Sequence, residues 1–386
     1  MTIGIDKIAF YTPKYVLDLI ELAKVRGDEP EKYTIGIGQD KQSVVPNYED
    51  IVTMGANAAS QIIDDIDRQL IDSVILATES GIDNSKSGAI YIQRLLNLSE
   101  FTRTIELKQA CYAGTYGLMQ ACDYVAAHPG RRVLVIASDI ARYGLATPGE
   151  VTQGAGAIAM IISDNPKIAS INTDSVYMSA ERADFWRPLD RTQALVDGHL
   201  STDIYKEMFL TLWQRYCTKT QQTISDFSGF AFHLPYTKMG KKALDEVLDQ
   251  ATAEQQVNLM EKLKASQQLS RQVGNIYTGS VYLSLLSLLS YSDKLQSGEK
   301  IAIFSYGSGA EAELYSITLQ ENFTEYVPRK SVKQLLESRQ KLSVSEYEAV
   351  FNSQLFDSHV NVKSEAVSGV TQFQFLGWQN GERIYA

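Results

Sequence analysis

The sequence predicts an α/β fold made of two similar halves, with mostly parallel sheets covered by helices. Three observations support this prediction. Strand-like apolar runs alternate with helix-like segments, and the order of elements in the first half recurs in the second. A chain of 386 residues with 44% hydrophobic side chains is also long enough for more than one domain. We place the first half at residues 1–168 and the second at residues 169–386.

The first half alternates three strands with two helices. The strand I-D-S-V-I-L-A-T-E ends at Glu79 and precedes the helix G-A-I-Y-I-Q-R-L-L-N. The strand T-R-T-I-E-L leads to Cys111, and a small, apolar, proline-free helix follows from Tyr112 to Ala127. After the strand R-R-V-L-V-I-A-S-D, the runs A-G-A-I-A-M-I-I and P-K-I-A-S-I-N are expected to form a closing hairpin.

The second half follows the same order. The strand G-F-A-F-H-L-P contains His233, and helical segments between residues 238 and 269 follow it. The string N-I-Y-T-G-S-V-Y-L at Asn275 resembles C-Y-A-G-T-Y-G-L at Cys111, and K-I-A-I-F-S-Y and A-E-L-Y-S-I-T-L complete the half. A pseudo-twofold pair of halves would set Cys111 against Asn275 in one cleft. Glu79 and His233 would then face each other.

Two insertions and a terminal hairpin complete the predicted organisation. Residues 173–201 are polar and aromatic, including E-R-A-D-F-W-R-P-L, and we expect them near the mouth of the cleft. Residues 321–355 resemble charged amphipathic helices. The end of the chain, F-Q-F-L-G-W-Q-N-G-E-R-I-Y-A, predicts a hairpin with an Asn-Gly turn.

Composition excludes several classes of function. The chain has 36 basic and 46 acidic residues, and a formal charge of −10 disfavours nonspecific binding to nucleic acid or anionic membranes. Its three cysteines form no CxxC pair and predict neither disulfides nor a metal site. The N-terminus lacks the plan of a signal peptide, and the longest apolar helix is too short to span a bilayer. We therefore expect a cytoplasmic protein.

Cys111 is the candidate nucleophile. Free cysteines are usually buried small hydrophobes, and Cys122 and Cys217 fit that description. Cys111 differs because it follows a strand and opens a helix, and small residues succeed it. Unpaired N–H groups and the helix dipole are expected to favour its thiolate.

Glu79 and His233 each have a functional and an ordinary interpretation. Glu79 is either solvated beyond its strand or enclosed in the cleft, where burial would raise its pKa and suit it to act as a general base. His233 is either a satisfied structural histidine or the partner of Glu79. His128, in a loop, and His359, in a charged tail region, are not candidates.

Three further groups remain open at this point. Asn275 can cap the following helix or donate its amide to a carbonyl oxygen. The string Y-G-S-G-A, which contains Ser308, is a weak phosphate-loop candidate and more plausibly supplies backbone N–H groups to an oxyanion hole beside Cys111. The third group is a set of lysines, Lys238, Lys241 and Lys242. These lysines form either a solvated charged face or a site for the phosphates of coenzyme A.

Taken together, several strings resemble the bacterial 3-hydroxy-3-methylglutaryl-CoA synthases, which are condensing enzymes with the thiolase fold. The resemblance covers nearly the whole chain. It extends through A-T-E-S-G-I-D-N-S-K-S, K-Q-A-C-Y-A-G-T-Y-G, D-F-W-R-P, F-H-L-P-Y-T-K-M-G-K-K, Q-V-G-N-I-Y-T-G-S and S-Y-G-S-G. The resemblance implies duplicated βαβαβαββ halves in five layers, αβαβα, and a homodimer.

The resemblance also implies an activity and its residues. Acetyl-CoA would acylate Cys111, with backbone N–H groups of Cys111 and Ser308 holding the thioester oxygen. Glu79 would remove a methyl proton, and the carbanion would attack acetoacetyl-CoA. His233 and Asn275 would polarise the ketone, and water would release the product. Coenzyme A thioesters are the substrates, and no other cofactor is implied. The positions that the resemblance suggests around the acyl groups are Tyr143, Thr152, Asp184, Ser201 and Tyr205.

Two other functions compete with this interpretation. Initiating-type ketoacyl synthases pair cysteine with histidine and asparagine, but they often read H-Q-A-N where this chain has H-L-P-Y, and they lack the glutamate of A-T-E-S-G. A catalytically silent thiolase-fold protein that binds acyl-CoA or acts as a scaffold is the other alternative. The presence of Glu79, Cys111 and His233 argues against it.

Overall fold

The computed structural model describes residues 2–191, 193–353, 365–366, 369 and 371–386. The strands are β1 (Gly4–Tyr11), β2 (Tyr15–Asp18), β3 (Lys41–Val44), β4 (Ile71–Ala77), β5 (Arg103–Leu107), β6 (Arg132–Ala141), β7 (Gly154–Ser163), β8 (Ala169–Ile171), β9 (Val176–Ser179), β10 (Phe185–Trp186), β11 (Leu195–Val196), β12 (Gly229–Phe232), β13 (Lys300–Gly307), β14 (Glu311–Leu319), β15 (Gln340–Leu342), β16 (Phe375–Gln379) and β17 (Glu382–Tyr385). The helices are α1 (Leu19–Arg26), α2 (Ile51–Ala59), α3 (Asp65–Leu70), α4 (Gly88–Leu95), α5 (Ala113–Ala127), α6 (Gly198–Thr220), α7 (Met239–Asp245), α8 (Ala253–Ser266), α9 (Gln268–Val273), α10 (Ser280–Tyr291), α11 (Arg329–Glu337) and α12 (Val344–Asn352).

The main sheet passes through both halves of the chain in the order β12-β13-β14-β8-β1-β7-β6-β4-β5, with β9 paired to β14. Its pairs are parallel only where a helix connects the strands, at β5–β4–β6 and at β12–β13. The other pairs are antiparallel. The expectation of mostly parallel sheets was therefore wrong, because direct connections such as β6 to β7 and β13 to β14 reverse the chain without a crossover.

The expected hairpin between the two runs that close the first half was also wrong. The two runs form β7 and β8, but β1 lies between them. Gly4 of β1 pairs with Ser163 of β7 on one side and with Ser170 of β8 on the other. A Cβ on Gly4 would lie 2.0 Å from the carbonyl oxygen of Ala169, so only glycine permits this approach. The N-terminal strand thereby joins the two halves of the sheet.

Three hydrophobic cores define five layers. The central core contains side chains of α5 and α10, such as Leu118 and Leu285, between the two parts of the sheet. A second core lies under α2 and α4 on the outer face of the first half, and a third lies under α6 and α7 on the outer face of the second. The α/β, five-layer fold class is confirmed. The predicted domain boundary at residue 168 falls between β7 and β8 and stays a prediction.

The two insertions have different structures. Residues 173–201 contain β9 and the β10–β11 hairpin, and Phe185 of β10 belongs to the same apolar cluster as Cys111. Residues 321–355 contain α11, α12 and β15, which pairs with β2, while residues 354 and 355 lie outside the described residues, as does His359. No helix in the described residues is long and apolar enough to cross a membrane.

The C-terminal hairpin, β16–β17, is confirmed. Its turn holds Asn380 at a φ of 52° and Gly381 at a φ of 80°. Two successive positive φ values characterise the turn that matches the twist of paired strands, and asparagine and glycine adopt them most readily. This element was predictable because two neighbouring residues determine it.

Candidate active site

Cys111 lies between the end of β5 and the start of α5, and its side chain is buried. Its Sγ is 3.2 Å from Oε1 of Glu79. Ala110 adopts a φ of 42° where the chain turns from the strand towards the helix. A Cβ on Gly114 would lie 2.5 Å from the carbonyl oxygen of Thr278, so glycine lets α5 approach the second half of the chain closely.

Asp139 on β6 holds the turn that carries Glu79. Its Oδ1 accepts hydrogen bonds from the Thr78 hydroxyl at 2.9 Å and from the backbone N–H groups of Glu79 and Ser80 at 2.9 and 3.0 Å. Its Oδ2 accepts from the backbone N–H of Thr278 at 3.0 Å. One fully buried carboxyl group therefore joins the Glu79 turn to the segment that follows Asn275.

The environment of Glu79 and Cys111 keeps both protons in place. Burial raises the pKa of the Glu79 carboxyl to about 8, the charge of Asp139 adds to the rise, and Arg187 opposes it. Burial also raises the pKa of the Cys111 thiol well above its ordinary value, and Glu79 adds to that rise. The expectation that the helix N-terminus would favour a thiolate was wrong, because desolvation and the neighbouring carboxyl groups outweigh the dipole. At rest the thiol donates to Glu79.

His233 follows β12 and is 2% exposed. Its backbone N–H donates to the carbonyl oxygen of Phe304 at 2.8 Å, and its own carbonyl oxygen accepts from the Tyr205 hydroxyl at 2.7 Å. Nδ1 has no hydrogen-bond partner among the described residues. Burial lowers the pKa of the imidazole to about 3, so the ring is neutral and has one N–H to donate.

Asn275 is held by two hydrogen bonds, but it does not cap a following helix, whose N-cap positions are Ile276 and Gly279. Its backbone N–H donates to the carbonyl oxygen of Thr152 at 3.1 Å, and its Oδ1 accepts from the backbone N–H of Tyr277 at 2.8 Å. The side chain is 2% exposed. Its amide nitrogen forms no well-aligned hydrogen bond within the described part of the chain, although Asn275 is close enough to lower the pKa of the Tyr143 hydroxyl. The amide is therefore oriented by its oxygen and keeps its nitrogen available.

The glycine-rich loop after β13 lies against the backbone beside Cys111. A Cβ on Gly307 would be 2.6 Å from the backbone nitrogen of Tyr112, so the loop requires glycine there. Ser308 follows Gly307 and is half-buried. Asp184 holds the loop, because its Oδ1 accepts from the backbone N–H of Gly309 at 2.9 Å. Its Oδ2 accepts from the hydroxyls of Tyr306 at 2.7 Å and Ser201 at 3.1 Å.

An aromatic wall lies beside Cys111. Phe185, Tyr143 and Tyr277 make edge-on contacts with one another, with ring centroids 5.9 to 6.1 Å apart. Phe185 and Tyr277 are buried and form an apolar cluster with Cys111. Cys122 and Cys217, in contrast, pack against the central and outer cores.

The three lysines lie at the start of α7, as the sequence predicted. Lys241 pairs with Asp245 at 2.6 Å, and Lys242 donates to the hydroxyl of Tyr236 at 2.8 Å. The ammonium group of Lys238 has no ion pair or hydrogen bond among the described residues. Lys238 is therefore the most available of the three for an anionic ligand.

Sequence reasoning missed Asp139 and Arg187. Asp139 ends the apolar run V-L-V-I-A-S-D, and a carboxyl group inside an otherwise apolar strand was the available signal. Arg187 lies in the noted string D-F-W-R-P, and it donates to the backbone carbonyl oxygen of Glu79. No cluster of three or more potential metal ligands occurs in the ranges that the structure describes.

Asp139→Asn is expected to misalign the Glu79 turn. The new amide nitrogen would face N–H donors, and an unpaired buried group costs about 1–3 kcal/mol in the free energy of unfolding. We expect a lower melting temperature and a reaction rate reduced about 100-fold. Asp174→Asn is the matched control, because Asp174 accepts from the backbone N–H of Ser316 at 3.0 Å outside the site. An Asp139→Asn rate equal to that of the control would contradict the assignment.

Comparison with known proteins identifies the family. A family profile described as hydroxymethylglutaryl-coenzyme A synthase N terminal matches residues 1–167, and the corresponding C-terminal profile matches residues 247–366. The chain belongs to the hydroxymethylglutaryl-CoA synthase family. It is 46% identical over 352 residues to the hydroxymethylglutaryl-CoA synthase of Enterococcus faecalis. The aligned region covers 91% of this chain and 92% of that relative.

Solved structures of the hydroxymethylglutaryl-CoA synthase family agree in fold over the full chain. A crystal structure of HMG-CoA synthase complexed with CoA has a TM-score of 0.96 and 41% identity, covering 100% of this chain and 99% of that one. MvaS in complex with 3-hydroxy-3-methylglutaryl coenzyme A has a TM-score of 0.88 and 32% identity, with the same coverage of both chains. These values extend the family assignment through residues 168–246, between the two profile matches.

Proposed function

We propose that this protein condenses acetyl-CoA with acetoacetyl-CoA and water to form 3-hydroxy-3-methylglutaryl-CoA and free CoA, a step of the mevalonate route to isoprenoids. The 3.2 Å contact between Cys111 Sγ and Glu79 Oε1 carries the proposal. The contact supports a nucleophile and a carboxyl group of raised pKa that act on the same acyl group. General bases that work near neutral pH need a pKa in this range.

Acetylation of Cys111 is the first step. The sulfur attacks the carbonyl carbon of acetyl-CoA, and the thiol proton is transferred to the departing CoA sulfur. Backbone N–H groups of Cys111 and Ser308 stabilise the oxyanion. The close packing of the Gly307 loop on the backbone of Tyr112 supports this arrangement.

Proton removal from the acetyl group is the second step. Glu79, in its ionised form, takes a proton from the methyl carbon. A thioester stabilises the neighbouring carbanion better than an ester, so attachment to sulfur both activates and positions the acetyl group. The buried wall of Phe185 and Tyr277 supports exclusion of bulk water from the carbanion.

Carbon–carbon bond formation follows. The carbanion attacks the ketone carbon of acetoacetyl-CoA, and its electron pair becomes the new bond. The ketone oxygen becomes an alkoxide that receives a proton. His233 and Asn275 polarise this oxygen, and the unpartnered His233 Nδ1 supports the role. Because the pKa of His233 is about 3, it acts as a neutral hydrogen-bond donor at physiological pH.

Hydrolysis completes the cycle. Water attacks the thioester carbon on Cys111, the sulfur leaves and is protonated, and the acetyl carbonyl becomes the free carboxylate of the product. The substrates carry all the coenzyme A involved, and we propose no further cofactor. Lys238, with Lys241 and Lys242, is proposed to bind the CoA phosphates. CoA thioester substrates and the absence of a disulfide pattern favour a cytoplasmic location.

A two-substrate assay tests the proposed function. Purified protein is mixed with acetyl-CoA and acetoacetyl-CoA while free thiol release and loss of the acetoacetyl enolate absorbance are followed. Turnover with both substrates and formation of the hydroxymethylglutaryl product are expected. Stable acetylation without condensation would contradict the proposal and favour a ketoacyl synthase, and absence of any adduct would favour an acyl-CoA-binding scaffold.

We further propose a homodimer formed through β5. This strand ends the main sheet, and its outer edge pairs with no strand that the structure describes. Ile105 on the strand is 50% exposed, and Phe101 just before it is 97% exposed. An unprotected apolar edge is a natural site for pairing with a second copy around a twofold axis.

Ile105→Lys is expected to convert the dimer to monomers. Near a twofold axis each new lysine meets its own copy, so like charges oppose pairing, and we expect the dissociation constant to rise at least about 100-fold. Sedimentation velocity at several protein concentrations measures the change. Val257→Lys, at a 68% exposed apolar position on α8, is the control. A dimer unaffected by Ile105→Lys would exclude this edge.

A further inference from the structure

Residues 184–187 form a strap that connects the two catalytic loops. At one end, Asp184 accepts from the backbone N–H of Gly309 at 2.9 Å, in the loop proposed to hold the oxyanion. In the middle, Phe185 belongs to the apolar cluster that contains Cys111. At the other end, the guanidinium group of Arg187 donates to the backbone carbonyl oxygen of Glu79. The strap therefore brings a fixed positive charge to the turn that carries the base.

A cleft of about 670 Å³ lies beside this turn, and Glu79 and Arg187 both line it. Lys108 and Arg191 also line the cleft, and neither has a side-chain ion pair within the described ranges. Arg142, another lining residue, donates to the carbonyl oxygen of Phe351 and stacks on its ring. Of the two remaining cations in the lining, Arg383 pairs with Asp50 and Lys86 lies over the ring of Tyr91. Arg187 is the cation in this cleft with a described hydrogen bond to Glu79.

The charged and titratable groups facing Glu79 come from five segments of the chain. The segment before α5 contributes the Cys111 thiol, and β6 contributes Asp139. The strap contributes Arg187. The segment after β6 contributes the Tyr143 hydroxyl, and the segment after Asn275 contributes the Tyr277 hydroxyl. Arg187 is the cation in this set. It lowers the pKa of Glu79, whereas burial and the charge of Asp139 raise it.

We propose that Arg187 is a positioning residue that holds the Glu79 turn from the cleft side and places a positive charge that favours the ionised form of the Glu79 carboxyl, which abstracts the proton. The inference rests on the proposed function, because abstraction of the methyl proton belongs to that reaction. It adds a residue that does not touch the substrate and acts through Glu79. Its contact with a backbone carbonyl oxygen constrains the turn, while its charge stabilises the carboxylate.

Loss of the cation should change proton binding by Glu79. Arg187 lowers the pKa of Glu79, so its replacement by a neutral side chain raises that pKa further. At neutral pH a smaller fraction of Glu79 would then be ionised. We expect the pH midpoint for Glu79 ionisation to move up by about one unit, which lowers the fraction of active base at pH 7 about tenfold.

Arg187→Gln, Arg187→Lys and Arg191→Gln form the test set. Arg191→Gln is the matched control, because it removes a positive charge from the same cleft without a described contact to Glu79. Infrared titration of substrate-free protein reports protonation of Glu79 through the carboxyl band that Glu79→Gln removes. Condensation is then followed against pH, together with the fraction of Cys111 that carries acetyl. Circular dichroism verifies folding of each variant.

The expected pattern distinguishes this inference from a general loss of structure. Arg187→Gln should shift the infrared midpoint and the acid limb of condensation upward together, recover activity at alkaline pH and keep the acetylated fraction. Arg187→Lys should keep the midpoint close to that of the unmodified protein, and Arg191→Gln should change it little. An unchanged midpoint in Arg187→Gln, or an equal shift in Arg191→Gln, would overturn the inference. Because the infrared titration needs no substrate, absence of condensation in the unmodified protein would contradict only the proposed function.

Discussion

Glu79→Gln is expected to lower condensation about 10³-fold while acetylation of Cys111 stays within about tenfold of the unmodified protein. The amide cannot accept a proton from the acetyl methyl group, so the carbanion does not form. Acetylation is less affected, because the change also removes the negative charge that raises the pKa of the thiol. Rapid quench with labelled acetyl-CoA measures the two steps separately.

The pH dependence of condensation follows from the same carboxyl group. Glu79 must be ionised to act as a base, and its pKa is raised to about 8. The condensation rate should therefore rise with pH through about 8 and level off above it. In Glu79→Gln this rise of the rate with pH should be absent, and only a small residual rate should remain.

Glu106→Gln is the matched control for Glu79→Gln. Glu106 lines the same cleft, burial raises its pKa, and its carboxylate accepts from the backbone N–H of Gly88 at 2.8 Å. It has no described contact with Cys111. We expect this control to keep condensation within about threefold. Condensation that persists in Glu79→Gln at the level of Glu106→Gln would place the base elsewhere.

Cys111→Ser is expected to abolish the acetyl-enzyme signal and to reduce condensation by at least about 10⁴-fold. A serine hydroxyl is a weaker nucleophile than a thiol in this position, because no strong base is available to ionise it. An acetyl ester would also acidify its methyl group less than a thioester does. The two losses act in sequence, on acylation and then on carbanion formation.

Cys217→Ser tests whether the effect belongs to Cys111. Cys217 is half-buried against the outer core of the second half and lies on α6. Its replacement should leave acetylation and condensation unchanged and alter only stability. Mass spectrometry of tryptic peptides locates the acetyl group. Acetyl found on Cys217, or turnover retained in Cys111→Ser, would contradict the assignment.

Local patterns predicted most elements of the fold. The strands that precede Glu79 and Cys111 and the apolar helix after Cys111 occur where the periodicity of the sequence indicated. The terminal hairpin followed from its Asn-Gly pair. Pairing between distant strands was not predictable in this way. The N-terminal strand inserts between β7 and β8, and no local signal in those two runs distinguishes this from a hairpin.

In the candidate site, too, local patterns predicted some features, and only the folded structure revealed the others. Spacing and the family motifs indicated Cys111 and Glu79, and the structure brings their side chains into contact. The pKa of the thiol was mispredicted, because a helix terminus is a local feature whereas Asp139 and Glu79 arrive from other strands. The role of Asp139 was missed for the same reason. Its hydrogen-bond donors come from two remote parts of the chain, so only the folded arrangement reveals it.

A pulse-chase experiment on Cys111 tests the central claim most directly. Protein acetylated with labelled acetyl-CoA is freed of excess substrate and mixed with unlabelled acetoacetyl-CoA. We predict that label leaves the Cys111 peptide and appears in hydroxymethylglutaryl-CoA within the time of one turnover. Label that remains on Cys111, or that is released only as acetate, would contradict the claim that the acetyl thioester beside Glu79 is the species that condenses.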